Sequence, residues 1–315
     1  MLSEEHRREI AQSREAAAPT LRPVSEGAER ALFEPVPVLD TGFVRLVDYM
    51  GGDASVVQGA RVSYGKGTRN VSDDRGLIRY LMRNRHTTPF ELAVAKFHVK
   101  APIFVTRQWF RHRTASINEY SARYSVLDSE FYIPRPEQLA TQSKTNRQGR
   151  ASVLPPEQAE RVLAMLRDDA ARCYDHYLDM LNEDADGAPL EAGRDGLARE
   201  LARINLPVNV MTQFYWQMNL WNLLHFLSLR ADPHAQYEIR VYAEAILDIV
   251  RAWVPVTVEA FEDYVRDAYT LSGPALRVLR RILSGEALDL DGSGLSKREV
   301  AELMAAIPEL GRPRD

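Results

Sequence analysis

The sequence predicts an α+β fold in which helix exceeds strand. Segments with apolar residues at helical spacing outnumber segments that alternate as half-buried strands do. The predicted strands do not alternate regularly with helices, as they would in a doubly wound sheet. The chain has 315 residues, of which 45% are hydrophobic and 27% are charged, and this is typical of a globular protein with a substantial core.

The composition also excludes several classes of protein. One cysteine cannot form an internal disulfide or, alone, a cysteine-rich metal site. A net charge of −4 argues against a protein that coats nucleic acid through bulk charge. No apolar stretch is long enough to span a bilayer, and the N-terminus lacks the apolar core of a secretory signal. We therefore expect a cytoplasmic protein.

Residues 1–39 are predicted to be an N-terminal extension, because four prolines are expected to break regular structure there. These prolines are Pro19, Pro23, Pro35 and Pro37.

The next segment predicts one strand and two helices. Strand-forming apolar residues at 43–51 predict the strand. A helix is expected at 53–65, and another at 72–86 with Ser72 as its N-cap. Pro89 keeps the preceding residue out of helical geometry, so the second helix should end before it.

Alternation of apolar and polar residues predicts a strand at 92–102. Pro102 then opens a helix at 103–113, since proline is tolerated in a first turn. The segment 114–125 is rich in Ser and Asn and predicts a loop, and a short strand is expected at 130–134.

In the second half, a polar loop at 141–152 precedes a long amphipathic helix from Pro155 to about Asn182. Another helix is predicted at 189–204, before Pro207. The remaining predicted elements are a strand at 208–218 and helices at 219–230, 234–253 and 256–269.

The C-terminal segment contains a sequence that resembles a calcium-binding loop, Asp289 to Gly294. The final bidentate position of such a loop falls on Val300 rather than on a glutamate, so we do not expect calcium binding. Ser296 and Glu299 have the spacing of a capping box at a helix start.

The densest chemical feature is a run of arginines from Arg107 to Arg123. Arg107 and Arg111 share a face of the predicted helix, among apolar residues that indicate burial. Buried arginines need anionic partners, and the guanidinium group binds phosphate or carboxylate well. A solvated basic face is the alternative, but the interleaved Trp, Phe, Asn and Ser favour an anion site. Arg230 ends an apolar helix, where it either caps carbonyls or serves a site.

Several common motifs are absent from the sequence. The histidines lack metal-binding spacing, no glycine-rich phosphate loop occurs, and no GxSxG elbow occurs. Cys173 lies on the apolar stripe of the long helix, which indicates a buried inert thiol.

The run RHRTASINEYSARY at 111–124 resembles the signature of the flavin-dependent thymidylate synthases, RHRxxSxNExSxRY, and matches it at every fixed position. Flanking segments similar to the family's are ARVSY at 60–64, HTTPFE at 86–91, ARINLP at 202–207 and LRADPHAQYEIR at 229–240. The resemblance covers about residues 40–262, which implies one catalytic domain there and a C-terminal helical extension at 263–315.

This resemblance implies a helix-rich α+β domain with a central, mainly antiparallel sheet, assembled as a homotetramer with shared active sites. The implied activity is reductive methylation of dUMP to dTMP in thymidylate biosynthesis. Methylenetetrahydrofolate gives the carbon, FAD carries the hydride and NADPH reduces the flavin. No cysteine nucleophile is needed. Neither a metal, a membrane nor a nucleic-acid polymer is expected as a partner.

The resemblance also implies residue roles. Arg230 is the implied catalytic residue, stabilising negative charge on the uracil ring. Ser121 and Arg123 would serve the phosphate, and Glu119 the sugar and flavin side. The implied dUMP-binding residues are Gln108, Arg111, Glu119, Ser121, Ala122, Arg123, Arg203 and Arg230. The implied FAD-binding residues are Ser63, His86, Thr88, Glu91, Arg111, His112, Arg113, Glu119, Asn219, Trp221 and His225.

Two other hypotheses compete with this one. A nucleic-acid-binding module would use the segment from Arg107 to Arg123 as a basic aromatic patch, but the acidic net charge opposes it. A partner-binding protein would use the amphipathic C-terminal helix. Packing of this helix within the protein itself is the simpler interpretation.

Overall fold

The computed structural model describes residues 4–62, 74–144, 149–286 and 292–311. The chain divides into two compact units, Met1–Phe261 and Glu262–Asp315. Among the described residues, no helix combines the length and the apolar character that crossing a membrane requires.

The first unit is built on a five-stranded sheet in the order β1-β2-β3-β7-β4, with every neighbouring pair antiparallel. Its strands are β1 (Pro35–Val38), β2 (Gly42–Met50), β3 (Val94–Pro102), β4 (Ser116–Glu119) and β7 (Met211–Asn219). A separate hairpin is formed by β5 (Ala140–Gln142) and β6 (Arg150–Val153).

Helices supply most of the remaining regular structure of this unit. They are α1 (Glu4–Glu15), α2 (Glu26–Ala31), α3 (Asp53–Val62), α4 (Asp74–Arg83), α5 (Thr88–Glu91), α6 (Ile103–Trp109), α7 (Pro156–Leu181), α8 (Arg199–Ala202), α9 (Leu220–Arg230), α10 (Tyr237–Trp253) and α11 (Pro255–Phe261). The prediction of an α+β fold with a central antiparallel sheet is confirmed.

The core lies where α6, α9 and α10 cover one face of the sheet. Trp109 of α6 is fully buried, and its ring lies 5.3 Å from Phe214, 5.2 Å from Trp216 and 5.0 Å from Phe226. Alternate residues of β7 are buried and thus face the core. This packing fixes the end of α6, from which the arginine-rich segment starts.

Two predictions near the sheet edges are wrong. Prolines at 35 and 37 do not break regular structure, because β1 is an edge strand and proline is tolerated where no ladder hydrogen bond is lost. The segment 114–125 is not loop throughout, since Ser116–Glu119 pairs with β7. Pairing with a preformed strand outweighs the low strand propensity of Ser and Asn.

Three further expectations are corrected. The segment 189–204 is mostly irregular, with helix only at α8 and a 3₁₀ turn at Arg203–Asn205, because glycines interrupt it and Gly193 has a φ of +83°. The loop at 141–152 contains strands of the β5–β6 hairpin. The strand expected at 130–134 is reduced to a single bridge between Phe131 and Val210.

The second unit contains α12 (Gly273–Leu283) and α13 (Lys297–Ala306), which share a small core of Ala275, Val278, Ile282 and Leu303. The predicted capping box is confirmed: Ser296 N–H donates to Glu299 Oε2 at 2.7 Å, and Glu299 N–H donates to Ser296 Oγ at 3.3 Å. Asp289 lies outside the described residues.

Candidate active site

The arginine-rich segment leaves the core at the end of α6. This helix ends at Trp109, four residues earlier than predicted, so Arg111 lies beyond it and does not share a helical face with Arg107. Both arginines are exposed rather than buried. The chain turns at once into β4, because Ser116–Glu119 must reach its partner strand β7.

Glu119 is the last residue of β4 and pairs with Phe214 of β7. Thr212, a buried residue of β7, donates a hydrogen bond from its Oγ1 to Glu119 Oε1 at 3.0 Å. The carboxylate is therefore held at the edge of the sheet by a side chain 93 positions away.

A cavity of about 560 Å³ opens beside this carboxylate. Glu119, Ala122 and Arg203, all predicted substrate residues, line it. The other lining residues are Ile103, Thr106, Arg107, Phe110, Tyr120, Leu127, Ile204, Leu206, Pro207, Val208, Val210, Met211 and Thr212. The volume and the mixture of apolar walls with a few polar groups suit a small-molecule ligand.

Two predicted phosphate residues lie in the turn that follows β4. Ser121 Oγ accepts a hydrogen bond from the Arg123 backbone N–H at 3.4 Å, and Ser121 O accepts one from Tyr124 N–H at 3.1 Å. Arg123 is exposed, with its guanidinium carbon 5.6 Å from the Tyr124 ring centre. On α6, the buried Oε1 atom of Gln108 has no hydrogen-bond partner among the described residues.

A second group of predicted residues meets where the segment after α6 contacts α9. Arg230 Nε–H donates to His112 Nε2 at 3.0 Å, and the ring centres of His112 and His225 are 6.3 Å apart. Burial, the Arg230 charge and His225 lower the pKa of His112 from 6.5 to about 4. Burial also lowers the pKa of Arg230. His112 is therefore neutral at physiological pH, with its proton on Nδ1.

The remaining predicted residues lie near the start of α9. Asn219 caps this helix, its Oδ1 accepting from Asn222 N–H at 2.9 Å. Trp221 contacts Phe90 of α5, with ring centres 6.0 Å apart. Thr88 and Glu91 are the first and last residues of α5, and both are exposed. His86, whose ring lies beside that of Tyr80, and Arg113 are also exposed. Ser63 lies outside the described residues.

The structure thus separates the predicted residues into two groups. In the first group, Glu119, Ala122 and Arg203 line the cavity. The second group follows α9 from Trp221 to Arg230, so Arg230 contacts His112 and is not among the cavity-lining residues. Thr212 was missed because the sequence does not give the register that brings it to Glu119. Cys173 is part-buried rather than buried. The described residues contain no cluster of three or more potential ligands that could hold a metal ion.

Comparison with known proteins decides the family. A family model described as thymidylate synthase complementing protein matches residues 45–256. A protein of Gluconobacter oxydans (strain 621H), named flavin-dependent thymidylate synthase, is 57% identical over 306 residues, which cover 97% of this chain and 98% of the relative. A protein of Rickettsia bellii (strain RML369-C) with the same name is 56% identical, covering 90% of this chain and 97% of the relative.

The chain belongs to the flavin-dependent thymidylate synthase family.

Solved structures of a similar protein support this conclusion. The UMP/dUMP methylase PolB from Streptomyces cacaoi, bound with 5-Br UMP, matches with a TM-score of 0.62 and 35% identity, covering 73% of this chain and 97% of that chain. The same methylase bound with 5-Br dUMP matches with a TM-score of 0.62 and 34% identity, covering 73% of this chain and 99% of that one. The resemblance to flavin-dependent thymidylate synthases that the sequence showed is therefore confirmed. The chain is an enzyme of this family.

Proposed function

We propose that this enzyme methylates dUMP to dTMP, with the cavity beside Glu119 as the dUMP site. The observation that carries the proposal is the meeting of Glu119, Ala122 and Arg203 around one cavity of about 560 Å³. Glu119 and Ala122 belong to the family signature at 111–124, whereas Arg203 belongs to the flanking motif at 202–207, far away in the chain. Methylenetetrahydrofolate would supply the carbon and NADPH the electrons.

Within this site, Ser121 and Arg123 would bind the phosphate, since an exposed guanidinium next to a hydroxyl presents several donors to an anion. Arg203, which lines the cavity, would add a second cation. Gln108, whose Oε1 is buried and unpaired among the described residues, and Arg111 would complete the contacts. Glu119, oriented by Thr212, would accept hydrogen bonds from the sugar.

The second group of residues fits a flavin. Trp221 and His225 are four positions apart on α9 and share a face, and His225 lies beside His112. They form a surface of aromatic and polar side chains that runs from α5 to Arg230 and suits an extended aromatic cofactor. FAD, when bound, supplies the hydride chemistry that side chains cannot. His86, Thr88, Glu91, Arg111, Arg113, Glu119 and Asn219, with Ser63, would provide the remaining contacts.

Arg230 does not line the cavity of its own chain, so in a site shared between subunits it would reach the uracil ring bound by a neighbouring subunit. There it would act as the catalytic residue by stabilising negative charge as the ring is activated. Its Nε–H bond to neutral His112 fixes the direction of the guanidinium. Because His112 is uncharged, its Nε2 can accept this bond, which a protonated imidazole could not do.

Three further statements belong to the proposal. The enzyme would be cytoplasmic. It would also be a homotetramer, and light scattering would measure the mass of that assembly. Residues 40–262 would carry catalysis, flanked by the extensions 1–39 and 263–315. The active sites would be shared between subunits.

The test combines spectroscopy with turnover. The purified protein should show a flavin spectrum, oxidise NADPH and form dTMP from dUMP, detected by chromatography. Arg230→Ala should abolish dTMP formation, whereas Arg172→Ala, a matched change at an exposed residue of α7, should retain it. A colourless protein that cannot be reconstituted with FAD would refute the proposal.

A further inference from the structure

The segment from Tyr120 to Glu130 forms one wall of the cavity and carries the proposed phosphate residues. Ala122 and Leu127 line the cavity, and Ser121 and Arg123 flank Ala122 in sequence. This segment, which we name the phosphate loop, lacks regular secondary structure. Its shape must therefore be set by contacts with other elements.

Strand β7 holds both ends of the phosphate loop. Tyr120 N–H donates to Gln213 O at 2.8 Å, and Met211 N–H donates to Glu130 O at 2.8 Å. These bonds fix where the loop begins and ends. They do not set the position of its middle, where the cavity wall lies.

The middle of the loop is held by two tyrosines of α7. Tyr177 Oη accepts a hydrogen bond from Leu127 N–H at 3.3 Å, and Tyr174 Oη donates to Leu127 O at 2.8 Å. The tyrosines are three positions apart on one helix face, with ring centres 5.9 Å apart. Both polar backbone groups of a single cavity-lining residue are thus bound by neighbouring phenols.

These bonds are formed by buried residues. The exposed fractions are 0% for Tyr177, 6% for Tyr174 and 7% for Leu127. Burial raises the pKa of both phenols, so each keeps its hydroxyl proton throughout the physiological range. Water does not compete readily for such bonds.

A third contact reinforces the same segment. Arg199 Nη1 donates to Tyr124 O at 3.0 Å, while Arg199 Nη2 donates to Glu183 Oε2 at 2.7 Å. Glu183 lies just after α7, so Arg199 of α8 links Tyr124, which precedes Leu127 in the loop, to the turn that follows the helix. The apolar cluster of Ala122 with Tyr177 completes this attachment.

We propose that Tyr174 and Tyr177 are positioning residues that set the affinity of the enzyme for the nucleotide phosphate by holding Leu127. The inference rests on the proposed dUMP site. Removal of either hydroxyl leaves a buried backbone group of Leu127 without a partner. The loop then shifts toward water, and Ser121 and Arg123 move away from the position in which they bind phosphate together.

The experiment compares Tyr174→Phe, Tyr177→Phe and the double variant with wild type in steady-state dTMP formation. Each single change should raise the KM for dUMP about threefold and the double change about tenfold, with kcat changed less than about twofold. FAD affinity, followed by flavin absorbance titration, should be unchanged because none of the proposed flavin residues lies within the phosphate loop.

Tyr242→Phe is the matched control. Tyr242 is 0% exposed, and its hydroxyl donates to Lys100 O at 2.7 Å, so this variant also loses a buried phenol-to-carbonyl bond, but away from the loop. It should lower the thermal midpoint as much as Tyr174→Phe does while leaving the KM for dUMP at the wild-type value.

The outcomes separate the two proposals. If the KM for dUMP in the α7 variants rises no more than in Tyr242→Phe, or if kcat falls and KM does not change, the positioning role is wrong. If wild type forms no dTMP, the proposed function is wrong instead. Because each single variant removes one atom only, its KM decides the question even where the double variant fails to fold.

Discussion

Replacement of His112 by glutamine should remove a pH-dependent loss of stability that wild type shows in mild acid. His112 has its pKa lowered from 6.5 to about 4, first by burial and then by the charge of Arg230 and by His225. The unfolded chain therefore binds a proton that the folded chain rejects between these two pH values. The free energy of unfolding falls as the pH decreases through this window.

The magnitude follows from the two pKa values. At pH 5 an unfolded histidine with a pKa of 6.5 is almost fully protonated, while the folded one, with a pKa of about 4, is mostly neutral. These pKa values correspond to a loss of stability of about 2 kcal/mol between pH 7.5 and pH 5, which solvent screening of the partly exposed imidazole reduces to about 1 kcal/mol. A glutamine does not titrate, and its Oε1 can still accept the Nε–H bond of Arg230.

Urea unfolding of both proteins at pH 7.5 and pH 5, at equal protein concentration, measures the effect. The difference in unfolding free energy between wild type and His112→Gln should shift by about 1 kcal/mol in favour of the variant at pH 5. The contributions of other titrating groups to the unfolding free energy are the same in both proteins and cancel in this comparison. A shift below about 0.5 kcal/mol would show that His112 titrates normally and that its contact with Arg230 is not the one described.

Other changes test the fold and the site. Gly27→Ala should lower the unfolding free energy by about 2 kcal/mol or more, measured by urea denaturation, because its Cβ would lie 1.8 Å from Ala252 O; wild-type stability would contradict this packing. Arg150→Met should cost about 2 kcal/mol, because the Glu238 carboxylate is 2% exposed and loses its charged partner; no change in a thermal melt would argue against that pair. Arg123→Ala should raise the Kd for dUMP about tenfold or more in isothermal titration, and an unchanged Kd would remove Arg123 from the proposed phosphate site.

The strands β2, β3 and β7 were predictable because their sequence patterns are local. Alternation at 92–102 and strand-forming residues at 43–51 and 208–218 depend on neighbours a few positions away. Helices α7, α9 and α10 were predictable for the same reason. The strands β1 and β4 were not, since prolines at 35 and 37 and the polar composition of 116–119 oppose strand formation until a partner strand is present.

The sequence by itself determined the family of this protein. The spacing of Arg111, Glu119, Ser121 and Arg123 in one signature indicates the family, and the comparisons confirm that family. Motifs of this kind are readable because their residues lie close together in the chain.

Only the tertiary structure decided how these residues meet. It brings Thr212 to Glu119, Arg230 to His112 and the tyrosines of α7 to Leu127, over separations of 93, 118 and about 50 positions. Such contacts depend on strand register and helix packing, which are set by the core as a whole. The surroundings that lower the pKa of His112 and hold the cavity wall in place therefore follow from the folded chain.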